Sequence, residues 1–271
     1  MRPLAALSKE EAARISVLFS DIDDTITTDG KLTAQAYDAL WRLHDVGLTV
    51  VPVTGRPAGW CDHIARFWPV AGIIGENGAF YMRYDRVRRR MFEMHALSTE
   101  ERALNRRRLE LIRARIAREV PNAGIASDQP YRQYDLAVDF CEDVPRLSGA
   151  EIAQIVAIFE DAGATAKVSS IHVNGWFGHY DKLTMMKRFA HDVFGLDLDA
   201  PETQQRVAYM GDSPNDEPGF RFFRYSIAVA NIAGFADALE HPPAFVTQAE
   251  SGAGFTEAAD WILSARSEES Q

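Results

Sequence analysis

Cysteine is scarce in this 271-residue chain, and positive charge is in deficit. The two cysteines, Cys61 and Cys141, lie far apart and show no metal-ligand spacing. Two isolated thiols in a chain of this length argue against a secreted disulfide scaffold and favour a reducing compartment. The formal net charge of −10 argues against a general nucleic-acid binder, because phosphate contacts require a basic face.

Long apolar runs are also absent. No stretch approaches the roughly 18 to 20 apolar residues that cross a bilayer. The first fourteen residues carry Lys9, Glu10 and Glu11 where a signal peptide would be apolar. We therefore expect a cytoplasmic protein, a monomer or small homo-oligomer, with no nucleic-acid or membrane partner.

Short apolar runs alternate with helical segments near both ends of the chain. The run from Val17 to Phe19 and the run from Leu48 to Val53 predict buried parallel strands. The alternation resumes from Lys182, with strands predicted over residues 206–210 and 226–230. Strands that alternate with helices in this way indicate a doubly wound α/β sheet.

The pattern changes between these two portions. A hairpin is predicted over residues 80–94, and a helix, a strand, a helix and a strand follow over 99–120, 134–140, 148–162 and 166–173. A chain of this length is expected to form two units, or one with a large insertion. We therefore predict an α/β core from residues 1–82 and 181–271, and an inserted α+β domain over 83–180.

Acidic residues follow the first predicted strand, in the segment Asp21-Ile22-Asp23-Asp24-Thr25. Carboxylates after a buried strand are costly unless they bind a cation or take part in catalysis. One carboxylate could attack phosphorus, and a second could carry the proton that this reaction moves. Taken alone, the segment could also be a pair of helix-capping acids.

The second predicted strand ends in Thr54-Gly55-Arg56-Pro57. Thr54 supplies a hydroxyl, and Gly55 lets the backbone approach a ligand. Pro57 begins a helix, whose amino end favours anions. Taken alone, this segment is more easily an ordinary strand-to-helix turn.

Two further segments lie in the C-terminal α/β portion. Lys182, at the start of a predicted helix, could neutralise phosphoryl oxygens and a nucleophile together, although a lone lysine is usually a surface residue. The segment 211–216, Gly-Asp-Ser-Pro-Asn-Asp, follows an apolar strand. Its Asp212 and Asp216 offer the hard oxygens that Mg²⁺ prefers, although a turn with helix-capping acids would have the same composition.

Together the four segments resemble the motifs of the haloacid dehalogenase superfamily. Their order is Asp-x-Asp-x-Thr, Thr-Gly-Arg, Lys and Gly-Asp-x-x-Asn-Asp, and the resemblance runs from Val17 to about Leu263. It implies a Rossmann-like core and a Mg²⁺-dependent phosphatase that forms an aspartyl-phosphate. The insertion lies where the family's type II caps sit. Its element order resembles the C2B cap of subfamily IIB, the Cof-like and sucrose-phosphatase-like sugar phosphatases.

The resemblance also implies a role for each matched residue. Asp21 would be the nucleophile and Asp23 the general acid/base, with Thr54 and Lys182 as the other catalytic residues. The implied phosphate-binding residues are Asp21, Thr54, Gly55, Lys182 and Asn215, and the implied Mg²⁺ ligands are Asp21, Asp23 through its backbone carbonyl, Asp212 and Asp216. Asp24 is a departure, because many members carry glycine at that position.

The insertion is expected to select a small phosphorylated metabolite. Candidate specificity residues are Glu76 and Asn77, which resemble the subgroup's loop before the cap, and Arg132, His172, Asn174 and Trp176, near predicted strand ends. Trp176 could stack on a sugar ring or be an ordinary core aromatic. We expect a phosphatase for a sugar phosphate or glycosyl phosphate derivative. A phosphohexomutase and a catalytically silent sugar-phosphate-binding regulator remain open.

Overall fold

A computed structural model describes residues 1–169 and 171–269, and these residues form three sheets and the helices around them. The strands are β1 (Arg2–Pro3), β2 (Val17–Ser20), β3 (Thr49–Pro52), β4 (Ile73–Gly75), β5 (Phe80–Asp85), β6 (Arg90–His95), β7 (Gly124–Ile125), β8 (Leu136–Asp139), β9 (Thr165–Val168), β10 (His172–Trp176), β11 (Val207–Gly211), β12 (Tyr225–Ala228) and β13 (Phe245–Val246). The helices are α1 (Lys9–Arg14), α2 (Ala34–Asp45), α3 (Ala58–Phe67), α4 (Thr99–Glu119), α5 (Gly149–Asp161), α6 (Lys182–Phe189), α7 (Pro201–Gln204), α8 (Glu217–Phe222) and α9 (Ser251–Glu269). Within this described part, none of the helices has the length and apolar character needed to cross a membrane.

The largest sheet has six parallel strands in the order β1-β13-β12-β11-β2-β3. This confirms the predicted doubly wound α/β core. From β2 the chain moves outward to β3, and from β11 it moves outward to β12 on the other side. The carboxyl ends of β2 and β11 therefore meet where the strand order reverses, which is where ligands bind in open α/β sheets.

Both faces of this sheet are buried, as its apolar strand sequences require. Leu18 and Val50 belong to one hydrophobic cluster, with residues of α1, α2, α3 and α9. Their neighbours Phe19 and Val51 belong to the cluster on the opposite face, with residues of α6 and α8. Successive side chains of a strand point to opposite faces, so each strand contributes to both clusters. Packing on both faces holds the edge of the sheet that carries the site.

The predicted hairpin is formed by β5 and β6, which pair over six residues from Phe80–His95 to Asp85–Arg90. It joins β4 in a separate antiparallel sheet. Beside β3, a single parallel bridge from Val53 to Ile74 links β4 to the core strands. Residue 83, the predicted start of the insertion, lies within β5, and the hairpin pairs with β4 rather than with the inserted sheet.

The inserted unit from α4 to β10, called the cap below, has its own four-stranded antiparallel sheet, in the order β7-β8-β10-β9. Helices α4 and α5 contribute Ile112 and Phe159 to a separate hydrophobic cluster. The prediction of a single strand over 166–173 is wrong, because β9 and β10 form an antiparallel pair there. Ser169 donates its backbone N–H to the His172 carbonyl at 2.8 Å, and its Oγ accepts from the His172 N–H at 3.0 Å. Position 170 lies outside the described residues.

The close packing in the cap makes Gly175 a test of this hydrophobic cluster. An added Cβ at Gly175 would lie 2.0 Å from Cε1 of Phe159, whose ring is fully buried. We expect Gly175→Ala to lower the free energy of unfolding by about 1–3 kcal/mol, measured by urea denaturation, because the core is overpacked. Gly149→Ala in α5 is the control, since no described atom lies within 4 Å of its added Cβ. Equal losses in the two variants would contradict the predicted clash.

Candidate active site

Three carboxylates meet at the carboxyl ends of the two central strands. Asp21 directly follows β2, and Asp212 directly follows β11. Asp216 lies in the turn after β11. All three are buried, and one oxygen from each lies within 4.8 Å of the others. Carboxylates at this separation repel one another strongly in a desolvated site, so their arrangement requires positive charge nearby.

Lys182 supplies one such charge. Its Nζ donates to Asp21 Oδ1 at 2.7 Å, to Asp216 Oδ1 at 2.9 Å and to Asn215 Oδ1 at 3.3 Å. Burial by itself would lower the pKa of Lys182, but Asp21 and Asp216 outweigh burial and raise that pKa. The lysine therefore remains an ammonium ion at neutral pH.

One lysine does not balance the negative charge. Burial raises the pKa of Asp21 to about 8 in spite of Lys182, and burial together with Asp216 and Asp21 raises the pKa of Asp212 to about 9. These raised pKa values mean that the positive charge of the protein does not fully balance the negative charge of the ionised carboxylates. Buried oxygen ligands with uncompensated negative charge fit a hard divalent cation such as Mg²⁺.

Asp216 belongs to the group of carboxylates that could hold a metal ion, and it also has four donors within the protein, so its predicted role as a ligand stays a prediction. Its Oδ1 accepts from Lys182 and, at 2.6 Å, from the Tyr209 hydroxyl. Its Oδ2 accepts from the backbone N–H groups of Asp212 and Ser213 at 3.1 and 3.4 Å. A carboxylate has about four acceptor positions, and these four donors fill them. Asp21, Asp212 and Asp216 are the grouped carboxylates that could hold Mg²⁺, and the backbone carbonyl of Asp23 stays a predicted ligand.

Asp23 and the Thr54–Arg56 segment form the second part of the site. The Arg56 guanidinium donates to Asp23 Oδ1 at 2.7 Å and to Oδ2 at 3.1 Å, and it lies 4.6 Å from the centre of the Trp60 ring. Thr54 is fully buried, and its Oγ1 accepts from the Arg56 N–H at 3.0 Å, which leaves the hydroxyl hydrogen for another acceptor. Residues predicted from two separate segments are thus brought to one edge of the sheet.

Comparison with known proteins supports this picture. Residues 18–103 match the family described as haloacid dehalogenase-like hydrolase. Protein 0175 of Thermoplasma acidophilum has a similar fold, with a TM-score of 0.69, 17% identity, and coverage of 92% of this chain and 98% of that one. A haloacid dehalogenase-like hydrolase from Bacteroides thetaiotaomicron gives 0.64 at 15% identity, covering 92% and 99%. A trehalose-6-phosphate phosphatase related protein gives 0.60 at 14% identity, covering 94% and 100%.

Residues 18–103 are therefore similar to the haloacid dehalogenase-like hydrolases, and the fold of the described chain is similar to that of the solved structures. The matched segment contains the first two motifs, and the fold similarity extends over the cap as well.

The departure from the family pattern at Asp24 has a conformational explanation. Asp24 has a φ of 56°, in the left-handed region where glycine is free of strain and aspartate is better tolerated than most residues. Its backbone N–H donates to Thr27 Oγ1 at 3.3 Å. The position therefore requires a left-handed backbone conformation, which glycine would also satisfy.

Sequence reasoning missed three residues of this site. Arg56 was part of a motif but had no assigned role. Tyr209 lies in an apolar strand and was indistinguishable from core. Asn231 follows β12 without any pattern, yet its Nδ2 donates to the Asp24 carbonyl at 3.1 Å and to Asp212 Oδ2 at 3.4 Å.

The predicted specificity residues are mostly buried and bonded to protein. Trp176 is 3% exposed and stacks on Tyr180 with 5.9 Å between ring centres. His172 places Nε2 2.8 Å from Glu142 Oε2. The Asn77 side chain faces Gly55, where an added Cβ would lie 3.2 Å from its Oδ1. Glu76, Arg132 and Asn174 bind protein groups that are described below, so direct contact of these residues with a substrate stays a prediction.

The Tyr209–Asp216 hydrogen bond can be tested directly. Tyr209→Phe removes one of four donors from a fully buried carboxylate, and a hydrogen bond to a charged group contributes about 1.5–3 kcal/mol. We expect the free energy of unfolding to fall by that amount in chemical denaturation. Tyr37→Phe is the control, because its hydroxyl donates to the Phe67 carbonyl at an exposed position. Unchanged stability of Tyr209→Phe would show that Asp216 does not depend on this donor.

Proposed function

We propose that the protein is a Mg²⁺-dependent phosphatase that hydrolyses a phosphate monoester through an aspartyl-phosphate on Asp21. The observation that carries the proposal is the buried contact of 2.7 Å between Lys182 Nζ and Asp21 Oδ1, beside Asp212. It combines a nucleophilic oxygen, a cation for phosphoryl oxygens and oxygen ligands for a metal in one site.

In the first half-reaction, a carboxylate oxygen of Asp21 attacks phosphorus, and the bond from phosphorus to the leaving oxygen breaks. Asp23 gives its proton to that oxygen, so the substrate leaves as an alcohol. Lys182 and the Thr54 hydroxyl stabilise the charge on the phosphoryl oxygens. Mg²⁺ bound by Asp21, Asp212 and the Asp23 carbonyl would neutralise further negative charge.

In the second half-reaction, Asp23 accepts a proton from water while the water oxygen attacks phosphorus. The bond between phosphorus and Asp21 breaks, which releases inorganic phosphate and regenerates the carboxylate. Arg56 donates to both carboxylate oxygens of Asp23, which defines the position of the ionised form that accepts a proton in this half-reaction.

The proposed substrate class is a sugar phosphate or glycosyl phosphate derivative. The core site recognises only phosphate and metal, so discrimination must come from the cap. Burial lowers the pKa of Arg56, but Asp23 outweighs burial and raises that pKa, with smaller contributions from the cap carboxylates Glu142 and Asp128. The fold similarity to a trehalose-6-phosphate phosphatase related protein supports a sugar-containing leaving group.

Phosphate release from a panel of phosphorylated metabolites tests this function. We expect release from sugar phosphates with Mg²⁺ and loss of activity in chelator, because all the proposed ligands are oxygens. Ca²⁺ should fail to support turnover, since it takes longer bonds and more ligands than Mg²⁺. Full activity in chelator would contradict the metal assignment. An isomerised hexose phosphate formed only with a bisphosphate activator would instead show a mutase.

The nucleophile is tested by Asp21→Asn. An amide keeps the shape of the side chain but is a poor nucleophile, so we expect turnover to be abolished while the circular dichroism spectrum is unchanged. Asp45→Asn, on an exposed side chain, is the matched control and should retain full activity. Turnover of Asp21→Asn within a few-fold of wild type, in protein shown by mass spectrometry to be free of deamidation, would exclude Asp21 as the nucleophile.

A further inference from the structure

The loop after β4 has an unusual backbone. Glu76, Asn77 and Gly78 have φ values of 42°, 57° and 99°, all in the left-handed region. Two consecutive non-glycine residues in this region cost roughly 1–3 kcal/mol each, so surrounding contacts must hold them. The N–H of Glu76 donates to the Arg56 carbonyl at 3.2 Å, and the N–H of Asn77 donates to the Thr54 carbonyl at 3.0 Å. The strained loop therefore braces the segment that carries Thr54 and Arg56.

The Glu76 carboxylate joins the core to the cap. It is 1% exposed and accepts from the N–H of Ala58, the first residue of α3 in the core, at 3.1 Å. It also accepts from the N–H groups of Gln133 and Tyr134 in the cap at 2.8 and 2.7 Å. One buried carboxylate thus fixes a cap segment against the helix that follows the Thr54–Arg56 segment.

Arg132 makes a second connection from the cap to the core. Its Nη1 donates to the Gly55 carbonyl at 3.1 Å. Asp128 pairs with its Nε and Nη2 at 2.9 and 3.0 Å, and Asp135 accepts from its Nη1 at 3.1 Å. Asn174 of β10 in turn donates to Asp135 Oδ2 at 2.8 Å. The guanidinium is therefore held in one orientation, with a donor aimed at the backbone between Thr54 and Arg56.

These contacts form a continuous path from the cap sheet to the acid/base. We propose that Glu76 and Arg132 are positioning residues for Asp23. They link the position of the cap to the position of Asp23 through Gly55 and Arg56. The inference rests on the proposed role of Asp23 in proton transfer. Because a misplacement of about 1 Å can reduce a rate by about a hundredfold, a loosened Gly55 carbonyl would affect proton transfer at Asp23.

The test separates positioning from simple stability. Arg132→Lys keeps the charge but loses the planar fork, and Glu76→Gln keeps the shape but loses acceptor capacity. Single turnovers are followed as release of the alcohol, which reports the first half-reaction alone. With 4-nitrophenyl phosphate, whose leaving group needs little protonation, this rate should stay within about threefold of wild type, because general acid/base help is worth about 10² to 10⁴ only where it is needed. Hydrolysis of ethyl phosphate should fall about 10- to 100-fold, within that range. Arg113→Lys, an exposed cap arginine, should change neither rate.

The same measurement in the Asp23→Asn background shows whether the effect passes through Asp23. If it does, adding Arg132→Lys to Asp23→Asn leaves the ratio of alkyl to aryl rates unchanged. Equal losses for both substrates, or a further change of the ratio in the double variant, would overturn the proposal.

Hydrogen exchange gives a readout that does not depend on activity. Arg132→Lys and Glu76→Gln should raise deuterium uptake in a peptide covering residues 54–58, as well as in residues 132–136. Faster exchange in 132–136 alone would show that the cap contact does not reach the Thr54–Arg56 segment. If the wild-type protein released no phosphate from either substrate, the proposed function would fail, while the exchange experiment would still decide the coupling.

Discussion

The site depends on the buried ammonium group of Lys182. Without it, Asp21 and Asp216 would be unpaired carboxylates in a desolvated pocket, which costs several kcal/mol per ion. The rest of the site serves this interaction. Parallel pairing of β2 with β11 brings Asp21 beside Asp212. The Tyr209 hydroxyl and the backbone N–H of Asp212 hold Asp216 in place, with its Oδ1 accepting from Lys182.

The core and the cap have different tasks. The core holds every group that the proposed chemistry needs, on the ends of parallel strands packed on both faces. The cap is attached by more than its two connecting segments, because Glu76 and Arg132 bind it to the loops beside the site. Movement of the cap as a free lid would require these hydrogen bonds to break. A change in the position of the cap would alter the position of Asp23, since Arg132 binds Gly55 and the adjacent Arg56 binds Asp23.

Much of the core was predictable because its signals are local. An apolar run that ends in acids identifies both a buried strand and the edge where chemistry occurs, as at Asp21 and Asp212. The cap was harder. The β9–β10 hairpin was interpreted as one strand because its turn consists of small polar residues between apolar ones. Arg132 and Asn174 are predicted as substrate contacts, and neither their type nor their position along the chain reveals that Asp128 and Asp135 bind them in the structure.

The sequence by itself determined the α/β core, the place of the insertion, and the motif residues with their chemical types, since these depend on hydrophobic periodicity and on spacing along the chain. The tertiary structure decided which partners each of those groups binds. Asp216 is saturated by four donors, Arg56 and Asn231 join the site, and the predicted specificity residues Glu76, Arg132 and Asn174 brace the cap. Hydrogen-bond saturation depends on partners far apart in the chain, so no local pattern of residues could specify it.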